Sequence, residues 1–170
     1  DFIMDLAADP GYAEDLLDFT TEVGIAVGMG MARRGLGISV NESWITPPLL
    51  SPELYARLAF PREKRLIEAL KSAGAPRVAL ISGGNTTAIV EWLVQTGSSL
   101  LLADYGTDLA FFKAKAKAAG VVVRGSIQAQ LVDTGPPEQI IAQTQEVLAK
   151  GAPGGRFVLG FGVLLNAPPP

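Results

Sequence analysis

Short apolar blocks alternate with longer amphipathic stretches along this chain. Val78–Ile81, Leu100–Ala103, Val121–Val123 and Phe157–Leu159 are apolar without alternation, the pattern of strands covered on both faces. Leu36 to Val40 is a fifth strand candidate. Between these blocks lie helix signals. Asp9-Pro10 reads as an N-cap with proline at the first helical position. Tyr12, Leu16, Phe19 and Val23 follow on one helical face, and the helix is predicted to run to Arg34 with Gly35 as its stop. Gly24, Gly28 and Gly30 weaken it, which makes sense only if it packs closely on something. Ser51-Pro52-Glu53 starts a second helix, kinked or restarted at Pro61 and continuing through Leu66, Ile67 and Leu70 to Gly74. Further helices are predicted over Ala88–Gln95, from Thr107-Asp108 through Phe111 and Phe112 to Gly120, and from Pro136-Pro137-Glu138 to Gly151.

Strands that alternate with helices need crossover connections, so the class is α/β with a parallel sheet. A doubly wound sheet and part of a (β/α)8 TIM barrel both fit. The barrel is preferred because polar residues follow every strand in series, with no glycine fingerprint at a single switch point. A complete barrel takes about 250 residues, so the expectation is about five β/α units, the C-terminal portion of a barrel, in one domain over residues 1–170. Both outer strands of such an arc would leave a row of backbone N–H and C=O groups unpaired. The chain is therefore expected to be completed by a missing N-terminal half or by association into a homo-oligomer.

Composition narrows the chemistry. The 170 residues contain no cysteine and no histidine. Within this chain that excludes disulfides, thiolate nucleophiles, Cys/His zinc sites and Ser-His-Asp triads. Chemistry must come from carboxylates, hydroxyls, Lys/Arg, amides or backbone. A net charge of −3 without a basic run does not support nucleic-acid binding. Mean hydropathy is +0.30 and argues against disorder. The longest apolar run, Phe157 to Leu165, is far short of the ~20 residues of a membrane helix. No targeting signal is recognisable at Asp1-Phe2-Ile3-Met4-Asp5, so a cytoplasmic location is the expectation.

The candidate site residues are those at strand exits, where parallel α/β proteins place their chemistry. Glu42 and Asp104 are the candidate acid–base carboxylates, with a loop salt bridge and a capping Asp as their structural alternatives. Ser43 can donate to a substrate carboxylate, and Trp44 and Tyr105 can wall a pocket. Gly84 and Asn85, in Ser82-Gly83-Gly84-Asn85-Thr86-Thr87, let backbone approach a ligand closely or simply form a turn with a good cap. Ser126, and Phe161 as wall or packing residue, complete the set. Lys113, Lys115 and Lys117 read as a solvated helix face.

These segments resemble the uroporphyrinogen decarboxylase superfamily, which also contains corrinoid-dependent methyltransferases. Glu42-Ser43-Trp44 is similar to its Glu/Asp-Ser-aromatic or His segment, Leu50-Ser51-Pro52-Glu53 to the helix start after it, Leu58-Ala59-Phe60-Pro61 to its Pro-containing helix and Gly84-Asn85-Thr86-Thr87 to its Gly-Asn-Thr-Thr stretch. Asp104, Gly125-Ser126 and Gly160-Phe161-Gly162 fall where the family has its later strand-end loops. The match covers the chain and corresponds to the family's C-terminal half. It implies a TIM barrel, with Ser43 as a substrate-contacting serine. The methyltransferase branch carries a His-x-Cys zinc pair and a third ligand between the late glycines; those positions here are Ile81, Gly83 and Phe161, so no metal site and no cofactor are expected. The decarboxylase branch usually has a His where Phe161 stands. The resemblance implies a carboxy-lyase acting on a tetrapyrrole or related small molecule. The alternatives are a zinc-less relative of the methyltransferases, which pass a methyl group from methylcobamide to a thiol or tetrahydrofolate, and a non-catalytic ligand-binding barrel.

Overall fold

The computed structural model describes residues 2–42 and 45–161. Helices α1 (Phe2–Ala8) and α2 (Pro10–Ala32) lead into β1 (Ile38–Glu42). Helix α3 (Pro52–Leu54), a π-helical turn (Tyr55–Ala59) and α4 (Phe60–Ser72) then form one continuous rod before β2 (Val78–Ser82). A 3₁₀ turn (Thr87–Ile89) and α5 (Val90–Leu93) precede β3 (Leu100–Ala103); α6 (Leu109–Ala118) precedes β4 (Val122–Ile127); α7 (Ala129–Thr134) and α8 (Pro137–Gly151) precede β5 (Phe157–Phe161).

All four strand pairs are parallel, and the sheet order is β1-β2-β3-β4-β5. Spatial order follows chain order with no reversal. That is the arrangement of an arc of a (β/α)8 barrel and not of a doubly wound sheet, whose order reverses at a switch point. One register row runs across the whole arc: Val40, Leu80, Leu101, Val123 and Phe157. These residues join Ile67 and Leu70 of α4, Leu93 of α5 and Phe112 and Ala116 of α6 in a single core between sheet and helices. The other face of the sheet is open. Ser39, Ala79, Leu100, Val122 and Val158 line a cavity of about 540 Å³ there.

The helix starts follow the sequence signals. Asp9 Oδ1 accepts from Tyr12 N at 3.1 Å, Ser51 Oγ from Leu54 N at 3.2 Å and Asp108 Oδ1 from Phe111 N at 3.0 Å. Pro61 has no N–H to close an α-helical bond, and the rod takes up one extra residue just before it: Phe60 N bonds Tyr55 O. The large apolar residues of α2 behave differently from their pattern. Tyr12, Phe19 and Val23 are exposed, and the face turned toward α4 carries Ala13, Gly28 and Ala32. The glycines set this contact, since a Cβ on Gly28 would stand 2.4 Å from Leu70 Cδ2. Arg62 crosses from α4 to bind both carboxylate oxygens of Asp18 at 3.0 and 2.8 Å.

Several elements depart from their predicted limits. β1 starts later and runs through Glu42, so that carboxylate belongs to the ladder and not to the loop. β4 takes in Arg124, Gly125 and Ser126, and β5 takes in Gly160 and Phe161, all expected as exit loops. Pairing with the neighbouring strand engages the backbone of these polar and glycine residues, so the ladder outlasts the apolar run. The predicted Ala88–Gln95 helix shortens to a 3₁₀ turn and the single turn of α5.

Gly125 and Gly151 form the slot for Phe157: a Cβ would lie 2.7 Å from its ring at Gly125 and 2.2 Å at Gly151. Gly151→Ala is therefore expected to destabilise the protein in urea unfolding by about 1–3 kcal/mol, the usual range for overpacking. The loss should shrink when Phe157→Leu is already in place. Additive effects of the two substitutions would show that the ring does not occupy this slot.

Candidate functional site

The C-terminal ends of the five strands lie along one edge of the sheet, and side chains of successive loops lock them together. Gly83 N donates to Glu42 O at 3.1 Å, joining the exits of β1 and β2. Thr46 Oγ1 donates to Gly83 O at 3.1 Å. Gly84 adopts φ +83, and a Cβ there would meet Thr46 Oγ1 at 2.6 Å; backbone conformation and space both demand glycine. Asp104, at the exit of β3, accepts from Gly84 N through Oδ2 at 3.0 Å and from Tyr105 N through Oδ1 at 2.9 Å. Thr107 Oγ1 receives Thr86 N at 3.1 Å. Asn85 Oδ1 accepts from Thr87 N at 3.1 Å, and Thr87 Oγ1 from Asp108 N at 2.9 Å. The Gly-Asn-Thr-Thr stretch is thus a backbone-exposing turn riveted to the next loop.

The predicted residues fall into separate groups. Asp104, Tyr105 and Ser126 line one cavity of about 310 Å³, with Asp108, Glu146 and Lys150 on its rim. Ser126 Oγ is buried without a hydrogen-bond partner. Glu42 lines a second cavity of about 180 Å³, against Thr20, Thr21, Arg62 and Glu63. Gly84 and Asn85 sit between the two. Phe161 ends β5 about half exposed, and its carbonyl accepts from Arg124 Nη2 at 3.0 Å. Gly160 is needed for that contact, because a Cβ would come within 2.5 Å of Arg124 Nε. Ser43, Trp44 and Gly162 lie outside the described residues. On the α6 face Lys115 pairs with Glu91, and Lys113 reaches the carbonyls of Gly155 and Arg156.

Two residues that the sequence reading passed over complete the Glu42 group. Tyr55, fully buried in the π-helical turn, donates to Glu63 Oε2 at 2.5 Å. Glu63 is 2% exposed. Burial first, and the neighbouring Glu42 carboxylate second, push the Glu63 carboxyl well above the usual range. Burial, reinforced by Glu63, likewise raises the Tyr55 phenol. A signal for Glu63 was present: it shares a helical face with Ile67 and Leu70, at spacings of four and three, where a charged residue is out of place.

With this geometry in place, comparison with known proteins is informative. The family profile described as uroporphyrinogen decarboxylase (URO-D) matches residues 1–170. The chain belongs to the uroporphyrinogen decarboxylase family. Its curated relatives include a uroporphyrinogen decarboxylase of Anaeromyxobacter dehalogenans, 29% identical over 166 residues that make up 96% of this chain and 46% of the relative. They also include the methylcobamide:CoM methyltransferase MtbA of Methanosarcina mazei, 26% identical over 90% of this chain and 44% of that protein. A solved methyltransferase from Methanosarcina mazei superposes with TM-score 0.78 at 19% identity, over 98% of this chain and 48% of its own, which shows a shared fold. The URO-D-family chain spans about half the length of the relatives it matches. No helix among its described residues is long and apolar enough to cross a membrane.

Asp104 ties two loops through backbone amides, so Asp104→Ala should free the Gly84 and Tyr105 N–H groups together. Amide exchange at both positions is expected to accelerate by about tenfold or more, as for loss of a charge-assisted hydrogen bond. Unchanged exchange at Gly84 would remove Asp104 from the brace.

Proposed function

We propose that this chain forms the C-terminal half of a URO-D-family barrel that binds a tetrapyrrole-like polycarboxylate across its strand exits and removes carboxyl groups from it. The observation that carries this reading is the pairing of family membership with the residues at the metal-ligand positions of the methyltransferase branch. Ile81, Gly83 and Phe161 stand there, and the chain has no Cys or His with which to replace them. Decarboxylation of a pyrrole acetate asks for neither metal nor cofactor. The protonated ring takes up the electron pair of the breaking C–CO2 bond as CO2 leaves. The methylene carbon is then protonated and the ring gives up the proton it had taken, so one proton is consumed for each CO2 released.

In this reading Ser43 donates to a substrate carboxylate, Trp44, Tyr105 and Phe161 wall a flat ligand, and Gly84 and Asn85 offer backbone and amide contacts. Ser126, whose hydroxyl is buried and unpaired, adds a polar contact at the β4 exit. Glu42 and Asp104 are the carboxyl groups available for proton transfer. Asp104 has both oxygens engaged by backbone amides, which leaves Glu42, with a buried unpartnered oxygen, as the better placed of the two. Lys150 on the rim of the Ser126 cavity is paired with Glu146, Arg62 in the Glu42 cavity with Asp18, and Arg124 of β4 with the Phe161 carbonyl, so most of the charge complement for a polycarboxylate would have to come from the other half of the barrel.

A second reading, a zinc-less relative of the corrinoid methyltransferases, is favoured by the MtbA relative and by the likeness to the solved methyltransferase. Thermal shift of the full-length protein with uroporphyrin and, separately, with cobalamin distinguishes them, because only a ligand bound by the native state raises Tm. Ser43→Ala and Trp44→Ala are each expected to weaken uroporphyrin binding by about tenfold, the size of a lost hydrogen bond to a charged group or of a lost aromatic wall. Lys115→Ala, on the helix face, should leave it unchanged. Full affinity in both loop variants would move the site off this edge of the barrel.

A further inference from the structure

The group formed by Glu42, Glu63 and Tyr55 brings two carboxyl groups and a phenol together where β1 meets α4. Glu63 projects from the apolar face of α4 and is 2% exposed, and Glu42 meets it from the last position of β1. Their acceptor capacity is not otherwise used: Glu42 Oε2 and Glu63 Oε1 are buried with no hydrogen-bond partner, while Glu63 Oε2 accepts from Tyr55. Among the described residues lining their cavity, no cation is free to neutralise them. Arg62, on the same helix and lining the same cavity, is committed to Asp18, Leu58 O and Glu14 O. From α2 the cavity receives the neutral Leu17, Thr20 and Thr21, from the β1 exit Ile45, from the π-helical turn Leu58 and Ala59, and from α4 Leu66 besides Arg62 and Glu63. On β2, Glu42 has Ser82 as its register partner, a buried hydroxyl without a partner of its own.

We propose that Glu63 and Glu42 share a single proton, with Tyr55 closing the chain of hydrogen bonds, so that Glu63 is a positioning residue that fixes the charge and orientation of Glu42. The arrangement accounts for the buried unpartnered carboxyl oxygens of both residues and leaves only the Ser82 hydroxyl of this group unexplained. Tyr55 O–H donates to Glu63 Oε2, the shared proton lies between Glu63 and Glu42, and one negative charge is spread over both carboxyl groups. Like charges this close in a buried site cannot both ionise. Glu42 immediately precedes Ser43 and Trp44, so its charge is felt where the ligand is proposed to bind. The assignment of a role to Glu42 rests on the proposed function; the proton-sharing pair does not.

The test separates the two. Infrared difference spectra of the full-length protein, with carbon-labelled glutamate, should show a protonated-carboxyl C=O stretch at neutral pH that disappears in Glu63→Gln. Tyr55→Phe should keep this band and shift its frequency. Absence of the band in the wild type at neutral pH overturns the shared proton, whatever ligand is bound. Stability gives a second readout. Glu63 has its carboxyl pKa raised by folding, so its contribution is complete below the unfolded carboxylate range near 4.5 and is lost as pH rises through the folded value. Wild-type stability should therefore decline as pH rises above about 4.5, and Glu63→Gln, which presents an amide to Glu42 and a carbonyl to Tyr55, should flatten the decline. Equal slopes in both proteins would overturn the proposal. The positioning role is read from uroporphyrin affinity against pH. Above the titration of the pair it should fall by up to about tenfold per pH unit in the wild type, and not in Glu63→Gln. Identical profiles remove Glu63 from the site. Complete lack of uroporphyrin binding with the infrared band present removes the proposed substrate and the positioning role, and leaves the proton-sharing pair standing.

Discussion

Parallel pairing in chain order is the constraint on which everything else in this structure rests. Each strand can be joined to its neighbour only by a crossover long enough to return to the starting edge, and here every crossover is helical or partly helical. The helices therefore accumulate on one side of the sheet, and every strand exit falls on the same edge. The row Val40–Leu80–Leu101–Val123–Phe157 is the outcome: one residue from each strand at one height, facing the helices. One row further toward the exits the register brings Glu42 beside Ser82 and Ala103 beside Gly125. The chemistry begins where the apolar rows stop.

That transition explains the mixed character of the exit edge. Some of its polar groups are structural rivets. Asp104, Thr46 and Thr107 spend their oxygens and hydroxyls on backbone groups of the loop after β2, holding a glycine turn in a conformation that exposes its amides. Others are left without partners in buried positions, namely Glu42 Oε2, Glu63 Oε1, Ser82 Oγ and Ser126 Oγ. An unpaired buried polar atom is unfavourable by about 1–3 kcal/mol, so four at one edge of one sheet mark where the fold has been shaped by something other than its own stability. The Glu42–Glu63–Tyr55 group and the Ser126 cavity sit at opposite ends of this edge, with the glycine turn between them.

Close approach is achieved with small residues, where the periodic pattern pointed to the large ones. Tyr12, Phe19 and Val23 form a clear apolar stripe, yet α2 meets α4 through Gly28 and Ala32, with the Arg62–Asp18 bridge spanning the contact. A single periodic stripe identifies a helix; it does not say which face is the inner one when a second face is made of glycine and alanine. Helix α2 precedes β1, the edge strand, and so has only one side of the sheet's helical layer to pack against.

The order of the strands and of the longer helices, the parallel class, the barrel arc and the positions of most caps follow from local rules and were legible in the sequence: unbroken apolar blocks, Asp or Ser before Pro or a helical run, glycine after the longer helices. So was the absence of thiol and imidazole chemistry. The short helices α1 and α7 carried no such local signal. Tertiary structure alone decided how far each strand extends, since Arg124, Gly125, Ser126, Gly160 and Phe161 become ladder residues only because a neighbouring strand is there to pair with them. It alone decided that Asp104 braces two loops and that Tyr105 and Ser126 share a cavity while Glu42 lies in another. It also brought Glu63 from the middle of a helix to the end of a strand twenty-one residues earlier in the chain. Hydrophobic periodicity reports what each segment does with water, and that is a local property. Which buried carboxyl meets which is set by register and helix packing, and no local pattern records it.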